Sequence, residues 1–389
     1  MLIGRKITVL GAGIAGLTVA RALAMRGAEV EVLEQADAIR EVGAGLQVSP
    51  NGARVLRAMG LGDALDVAGP RATALQLVDG ETGSQVARLD LAGLRPGEPY
   101  HFVHRARLIE LLAEGAREAG VDIHLGQRIE RVDLSQDRPH LRDGQGGVRD
   151  LDMLIGADGI HSKVREALNG RVAPFFTHQV AWRALVPCGA DEPNVAQVFL
   201  GAGRHLVSYP LGNGLRNIVA VEERHRWVEE SWTLQDDPMN LRMAFDTFCP
   251  TVRNWLAQVE QVHLWGLFRH PVADRWYGPG AAILGDAAHP TLPFLAQGAV
   301  MAMEDAWVLA EALATHHHYT DALESFQQTR RARCEKIVNA ATRNARNYHL
   351  SGAPRFVGYL ALRTASRLAP ERLLGRFDWI YQHDVTKGA

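Results

Sequence analysis

The stretch from Ile7 to Glu34 restricts the fold more than any other part of the sequence. Ile7-Thr8-Val9-Leu10 is short, apolar and rich in β-branched residues, the texture of a buried strand. Gly11-Ala-Gly13-Ile14-Ala15-Gly16 follows without a break, and helical spacing (Ile14, Leu17, Ala20, Leu23, Ala24) then runs to Gly27. A second strand, Glu29-Val-Glu-Val-Leu33, stops at Glu34, 23 residues after Gly11. Strand, G-x-G-x-x-G, helix, strand and acid in this register form a dinucleotide cradle. Gly11 permits the tight turn, Gly13 lets the backbone approach a pyrophosphate, and Gly16 lets helix and strand pack closely. The helix offers free N–H groups and the positive end of its dipole to phosphate. Glu34 accepts hydrogen bonds from ribose hydroxyls, and its charge disfavours a 2′-phosphate there. The motif by itself does not separate NAD from FAD.

Composition removes other classes. The 389 residues suit two domains, or one large domain with an insert. Lys and Arg number 42 against 44 Asp and Glu, a net charge of −2, so a nucleic-acid partner is not expected. Hydrophobic residues at 47% and charged residues at 22% exclude a disordered chain. Cys188, Cys249 and Cys334 form no CxxC pair, which suits a reduced, cytoplasmic protein without structural disulfides or zinc. No run approaches about 18 uncharged apolar residues, so no membrane span is expected. The glycine-studded start does not read as a signal peptide.

Two later motifs resolve the choice of dinucleotide. Asp152-Met-Leu-Ile-Gly-Ala-Asp158-Gly159 reads as a strand ending in an acidic turn, followed by a helix. Ala282-Ile-Leu-Gly285-Asp286-Ala-Ala-His289-Pro290 is a second strand ending in Gly-Asp, and a long helix opens near Gly298. An acid beside glycine at a strand end can bind a ribitol or ribose hydroxyl, and the helix at Gly298 aims its dipole at something anionic. The trio of G-x-G-x-x-G, D-G and G-D resembles that of the FAD-dependent aromatic hydroxylases, the single-component flavoprotein monooxygenases. The likeness covers essentially the whole chain. It is nearest the salicylate hydroxylase, 3-hydroxybenzoate 6-hydroxylase and 6-hydroxynicotinate 3-monooxygenase branch, which Gly43-Ala-Gly45-Leu-Gln47-Val-Ser-Pro50-Asn51-Gly, His104-Arg105 and Phe377-Asp-Trp379-Ile-Tyr381 also match.

The resemblance implies a Rossmann-like α/β FAD-binding domain (1–70, 100–178 and 270–345). It also implies an inserted, mainly antiparallel β substrate domain (71–99 and 179–269) and a C-terminal helical region (346–389). It implies that Gly11, Gly13, Ile14, Ala15 and Gly16 hold the FAD pyrophosphate, and that Glu34 and Gln35 hold the adenosine ribose, with Ile129 near the adenine. Arg105 would contact phosphates or ribitol, and Asp286, beside Gly285, the ribitol. Gly298 and Ala299 would face the flavin N1–C2 edge, and Gly45 completes the set. Asp158 and Gly159 are tied to both FAD and the incoming nicotinamide. Many relatives carry Asn where this chain has Val300, so that contact is expected from backbone alone. The implied reaction uses NADH or NADPH and O2 to hydroxylate a small phenol or hydroxylated heteroaromatic through a flavin C4a-hydroperoxide. A larger quinone precursor, polyketide or antibiotic is the alternative substrate, and a homodimer is possible.

The region 179–270 changes texture to short alternating runs at 179–185, 195–200, 204–210, 217–222 and 262–268, as do residues 71–91. His205 and Tyr209 stand four apart on one of these strands and so share a face. Ring hydroxylation speeds up when a phenol becomes a phenolate, and histidine titrates in the right range for that base. His205 is the expected catalytic base, with Tyr209 relaying the proton or holding the substrate oxygen. Gln47, Pro293, Phe294 and Gln297 are expected to line the pocket. Arg183 is a possible carboxylate partner. His316-His-His318 reads as a solvated helix end rather than a metal site. Residues 330–376, with eleven Lys and Arg against two Glu, read as a solvated helical surface, and Phe356, Leu360, Leu362 and Leu368 as ordinary burial.

Overall fold

The computed structural model describes residues 2–39, 45–224 and 234–387. Gly43 and Ala44 of the motif match above lie outside them. A six-stranded sheet draws on both halves of the chain, in the order Tyr277–Gly278, Ala281–Ile283, Leu154–Gly156, Lys6–Leu10, Glu29–Leu33, Asp122–His124. All pairs are parallel except at the Tyr277–Gly278 edge. The central strands are apolar throughout and buried on both faces, as a parallel sheet between helices requires. Helix Ile14–Ala24 makes the crossover between the first two strands and packs against helix Gly298–Thr315. Gly11, Glu34, Asp158 and Gly285 each follow the carboxyl end of a parallel strand, so four segments distant in sequence meet along one sheet edge.

A second sheet has eight strands, in the order Gln235–Asp236, Val262–Arg269, Phe175–Pro187, Leu215–Glu223, Arg204–Gly212, Val195–Gly201, Ala74–Asp79, Gln85–Asp90. Only the pairing of Val195–Gly201 with Ala74–Asp79 is parallel. The two-residue period divides its faces. Trp182, Leu206, Ile218, Ala220 and Leu264 point to a core shared with Phe245, Phe248 and Leu256, carried by or next to helices Pro238–Ala244 and Pro250–Ala257. Arg183, His205, Tyr209, Asn217, Val221, Glu223 and Trp265 alternate with them and take the opposite face. Gly45–Val48 and His101–His104 pair as a small ribbon beneath that face, where Gly45 N–H donates to Asn217 Oδ1 at 2.8 Å.

Helix Tyr319–Tyr348 runs 30 residues and packs against the turn Pro293–Leu295. Helix Gly352–Leu368 covers the edge strand Gln85–Asp90, where Ser366 exchanges both hydrogen bonds with the Arg88 backbone. These helices correct the reading of 330–376 as a solvated surface. Arg330 is fully buried between Glu304 and Asp305. Arg333 pairs with Glu304 and donates to the Trp379 and Ile380 carbonyls, and Arg355 pairs with Asp79 and Glu81. The apolar positions are corrected in the other direction: Phe356, Leu360 and Leu368 are exposed. No described helix is long and apolar enough to cross a membrane.

Candidate active site

The glycine turn is shaped by exclusion. Gly11 adopts φ +98°, and a Cβ there would lie 2.6 Å from the Ala157 carbonyl oxygen. A Cβ on Gly16 would fall 1.8 Å from the Gly11 oxygen, so helix and strand close only around glycine. Gly13 differs, because nothing lies within 4 Å of the place its Cβ would take. It caps helix Ile14–Ala24 without a side-chain bond and with no acid in the first turn, leaving the Ile14 and Ala15 end open to an anion. Glu34 braces this loop, accepting from Ala12 N–H at 2.7 Å and Ala36 N–H at 2.9 Å. Gln35 follows it directly. Gln127 N–H donates to the Glu34 carbonyl, which brings the chain leading to Ile129 alongside.

The later motifs close on the same edge. Asp158 accepts from Lys163 N–H at 2.7 Å through Oδ2, while Oδ1 is buried without a partner. Burial raises its carboxyl above the ordinary range, against the donors at Ser162 and Lys163. Gly159 has φ +73° and open space at its Cα. The Gly285 Cβ position lies 3.0 Å from Ala15 and 3.2 Å from Ala302, so this turn touches both helices. Asp286 keeps water-accessible surface although protein hems it in. Burial raises its carboxyl, opposed by His289, Arg105 and His270. Burial lowers the Arg105 guanidinium, and Asp286 partly restores it. Helix Gly298–Thr315 starts with no side-chain cap and no acid in its first turn, so Gly298, Ala299 and Val300 present N–H groups. Two uncapped helix ends, an open glycine face and an orphaned carboxylate oxygen fit a dinucleotide with a polar ring edge.

Under that helix lies a charge cluster with no counterpart in the sequence reading. His289 Nε2 and the Gly285 N–H share Asp305 Oδ2, while Arg330 Nε holds Oδ1 at 2.8 Å. Asn51 Nδ2 donates to Glu304 at 2.7 Å and to Gln297 Oε1 at 3.2 Å, and Gln297 Nε2 donates to Ser49 Oγ. Gln297, an expected pocket residue, has both ends of its amide engaged in this buried network and is 1% exposed. Two adjacent acids, Glu304 and Asp305, in an otherwise apolar helical run were the available signal. His289, Asp305 and Cys334 converge as metal ligands would, but the Arg330 cation already occupies that position, 3.6 Å from Cys334 Sγ.

On the facing sheet, His205 and Tyr209 share a face but have separate surroundings. Tyr209 lies 5.0 Å from the Phe102 ring and beside Gln47, which accepts from Tyr100 Oη at 2.7 Å. Burial raises the Tyr209 hydroxyl, opposed by Arg183 and Gln47. His205 contacts the rings of Phe294 and Tyr348, and its Nδ1 lies 2.7 Å from His349 Nε2. Its expected proton partner Tyr209 is thus replaced by His349, because four residues along a strand separate two side chains by about 13 Å. Pro293 is exposed, while Phe294 beside it is buried against His205. Burial, the nearby Arg105 charge and Tyr209 leave the Arg183 guanidinium at about 10, stacked over Trp265 at 4.5 Å. Among the described residues no acid pairs with it.

Comparison with known proteins agrees with this geometry. Residues 5–341 match the family model described as FAD binding domain. The 3-amino-4-hydroxybenzoate 2-monooxygenase of Streptomyces cremeus is 36% identical over 358 residues, 90% of this chain and 89% of the relative. The 3-hydroxybenzoate 6-hydroxylase of Polaromonas naphthalenivorans is 33% identical, covering 97% and 96%. Klebsiella pneumoniae HpxO, solved with FAD and uric acid, superposes with a TM-score of 0.84 at 26% identity over 96% of this chain and 95% of that one. The chain belongs to the FAD binding domain family and, within it, to the FAD-dependent aromatic monooxygenases.

Proposed function

We propose that this enzyme uses NADH or NADPH and O2 to hydroxylate a small phenol that carries a carboxylate. The observation that carries this reading is one sheet face bearing a buried histidine whose charged form burial disfavours, and a half-buried arginine with no acid beside it among the described residues, Arg183. The named substrates of the two relatives, an aminohydroxybenzoate and a hydroxybenzoate, have this chemistry.

FAD, when bound, supplies electron transfer from the nicotinamide and activation of O2. Gly11, Gly13, Ile14, Ala15 and Gly16 would hold its pyrophosphate, and Glu34, Gln35 and Ile129 its adenosine. Arg105, Asp158, Gly159, Gly285 and Asp286 would take the ribitol side, and Gly45, Gly298 and Ala299 the ring. Arg183 clamps the substrate carboxylate, Tyr209 holds a substrate oxygen, and Phe294 keeps water from the ring. His205 removes the phenolic proton. The domain division at 71–99 and 179–269, and a homodimer covering Phe356 and Leu360, belong to the same reading. The test is a screen of hydroxybenzoates against matching phenols for faster NADH or NADPH oxidation, with products identified by mass. Equal stimulation by the uncarboxylated phenols would remove the carboxylate from the reading.

A further inference from the structure

His205 cannot act as a proton store. It is 1% exposed, and burial with a second imidazole beside it disfavours the charged form. A proton taken from substrate must therefore leave, and one route leads out. His205 Nδ1 lies 2.7 Å from His349 Nε2, and His349 Nδ1 lies 2.8 Å from Glu223 Oε1. The His349 side chain is 2% exposed and that of Glu223 53% exposed, so the chain of atoms runs from the interior to water. Resting on the reading of His205 as base, we infer that His349 and Glu223 form a relay carrying the phenolic proton between His205 and solvent.

The carboxylate sets the direction. Glu223 accepts only, so His349 Nδ1 carries the hydrogen and His349 Nε2 is left as an acceptor. That acceptor takes the His205 Nδ1–H, which leaves the His205 Nε2 lone pair available for a substrate hydroxyl. Deprotonation then moves one proton per link. The phenol O–H transfers to His205 Nε2, His205 Nδ1–H to His349 Nε2, and His349 Nδ1–H to the Glu223 carboxylate, which releases it to water. Reprotonation of the product oxygen runs the same steps backwards and restores both tautomers. No imidazolium accumulates in the buried pocket.

The backbone holds the three residues in register. Gly203 N–H donates to the His349 carbonyl, and Glu223 N–H donates to the Gly203 carbonyl at 2.9 Å. The tight turn at Gly203, φ +66°, thus ties the helix end to the strand end. The other polar groups at His349 are Arg204, whose charge disfavours a standing imidazolium, and the Gln179 amide at 3.4 Å. Tyr348 precedes it on the helix and meets the His205 ring.

Glu223→Gln at the surface and His349→Gln in the interior test the relay in the full-length flavoenzyme, with 3-amino-4-hydroxybenzoate as the probe substrate. Hydroxylation at low buffer should fall about 10-fold, less than the 10²–10⁴ expected for loss of a base itself. The solvent deuterium isotope effect should rise, and added imidazole should restore the rate without changing KM or flavin content. A rate independent of imidazole in both variants, or an unchanged isotope effect, overturns the relay. His205→Gln is run beside them. If it hydroxylates normally across pH, the base assignment fails first; if only it is impaired, the base stands and the relay falls.

Discussion

His289, under helix Gly298–Thr315, and His205, on the facing sheet, are each 1% exposed, but their partners push them towards opposite charge states. Burial alone would lower both. Asp305 and Cys334 outweigh it at His289 and hold that imidazole well above its ordinary value. At His205 the neighbour is another imidazole, so nothing opposes burial and the ring stays neutral. The first site is a closed ion cluster: Asp305 is held far below the carboxylate range against burial, by His289 and Arg330, and Glu304 is lowered to about 2 by Arg330 and Arg333. The second is an open chain that ends in water. One imidazole is set among opposite charges that hold it protonated; the other is set against rings and a second imidazole that keep it neutral.

The largest expected effect strikes the closed cluster. Arg330→Met removes the buried cation shared by Glu304 and Asp305, and should cost about 3–5 kcal/mol by urea unfolding. A loss below about 1 kcal/mol would mean Arg333, His289 and Asn51 suffice. His205→Gln should spare stability and FAD content but slow hydroxylation by about 10²–10⁴-fold, read as product per NADH consumed. Arg183→Met should weaken carboxylated phenols alone, raising their KM by roughly 10- to 100-fold for about 1.5–3 kcal/mol of charge-assisted bonding. An equal rise for uncharged phenols would assign Arg183 to packing.

The smallest effect is on pH-dependent stability, and here the two histidines have opposite signs. The His205 value is depressed in the folded state, so below about 6.5 the unfolded chain binds a proton that the folded one refuses. Its contribution is complete above that pH and is lost on acidification. His289 is raised, so its contribution is complete below about 6.5 and is lost as pH climbs through its folded value. His205→Phe should flatten the decline in stability between pH 6.5 and 5, by at most about 1.4 kcal/mol per pH unit. An unchanged slope in urea titrations would place the acid sensitivity elsewhere, His101 and His349 being the other buried imidazoles held below their ordinary value.

The phosphate cradle was legible because its constraint falls on residue type: only glycine satisfies the 1.8 Å approach at Gly16 and the positive φ at Gly11. The alternating strands were legible for a similar reason, since one face of each meets a core. The amide network around Gln297 was not legible, because proximity in sequence to helix Gly298–Thr315 does not say which way an amide turns. Arg330 was misread because a basic stretch averages buried and exposed positions, and the acids neutralising it lie 25 residues away and more. His349 carries no signal at all: it meets His205 across 144 residues of chain, at a helix end the pattern does not mark.

Helix Tyr319–Tyr348 carries Arg330 in the ion cluster and ends at His349, which meets His205. Nineteen residues of helix separate the two, about 28 Å of stiff rod. A tilt of only about 2° pivoting on Arg330 would displace His349 by roughly 1 Å, enough to part it from His205. The rod fixes the spacing of the two centres, and substitutions that bend it should alter the coupling of oxygen use to product without touching either centre.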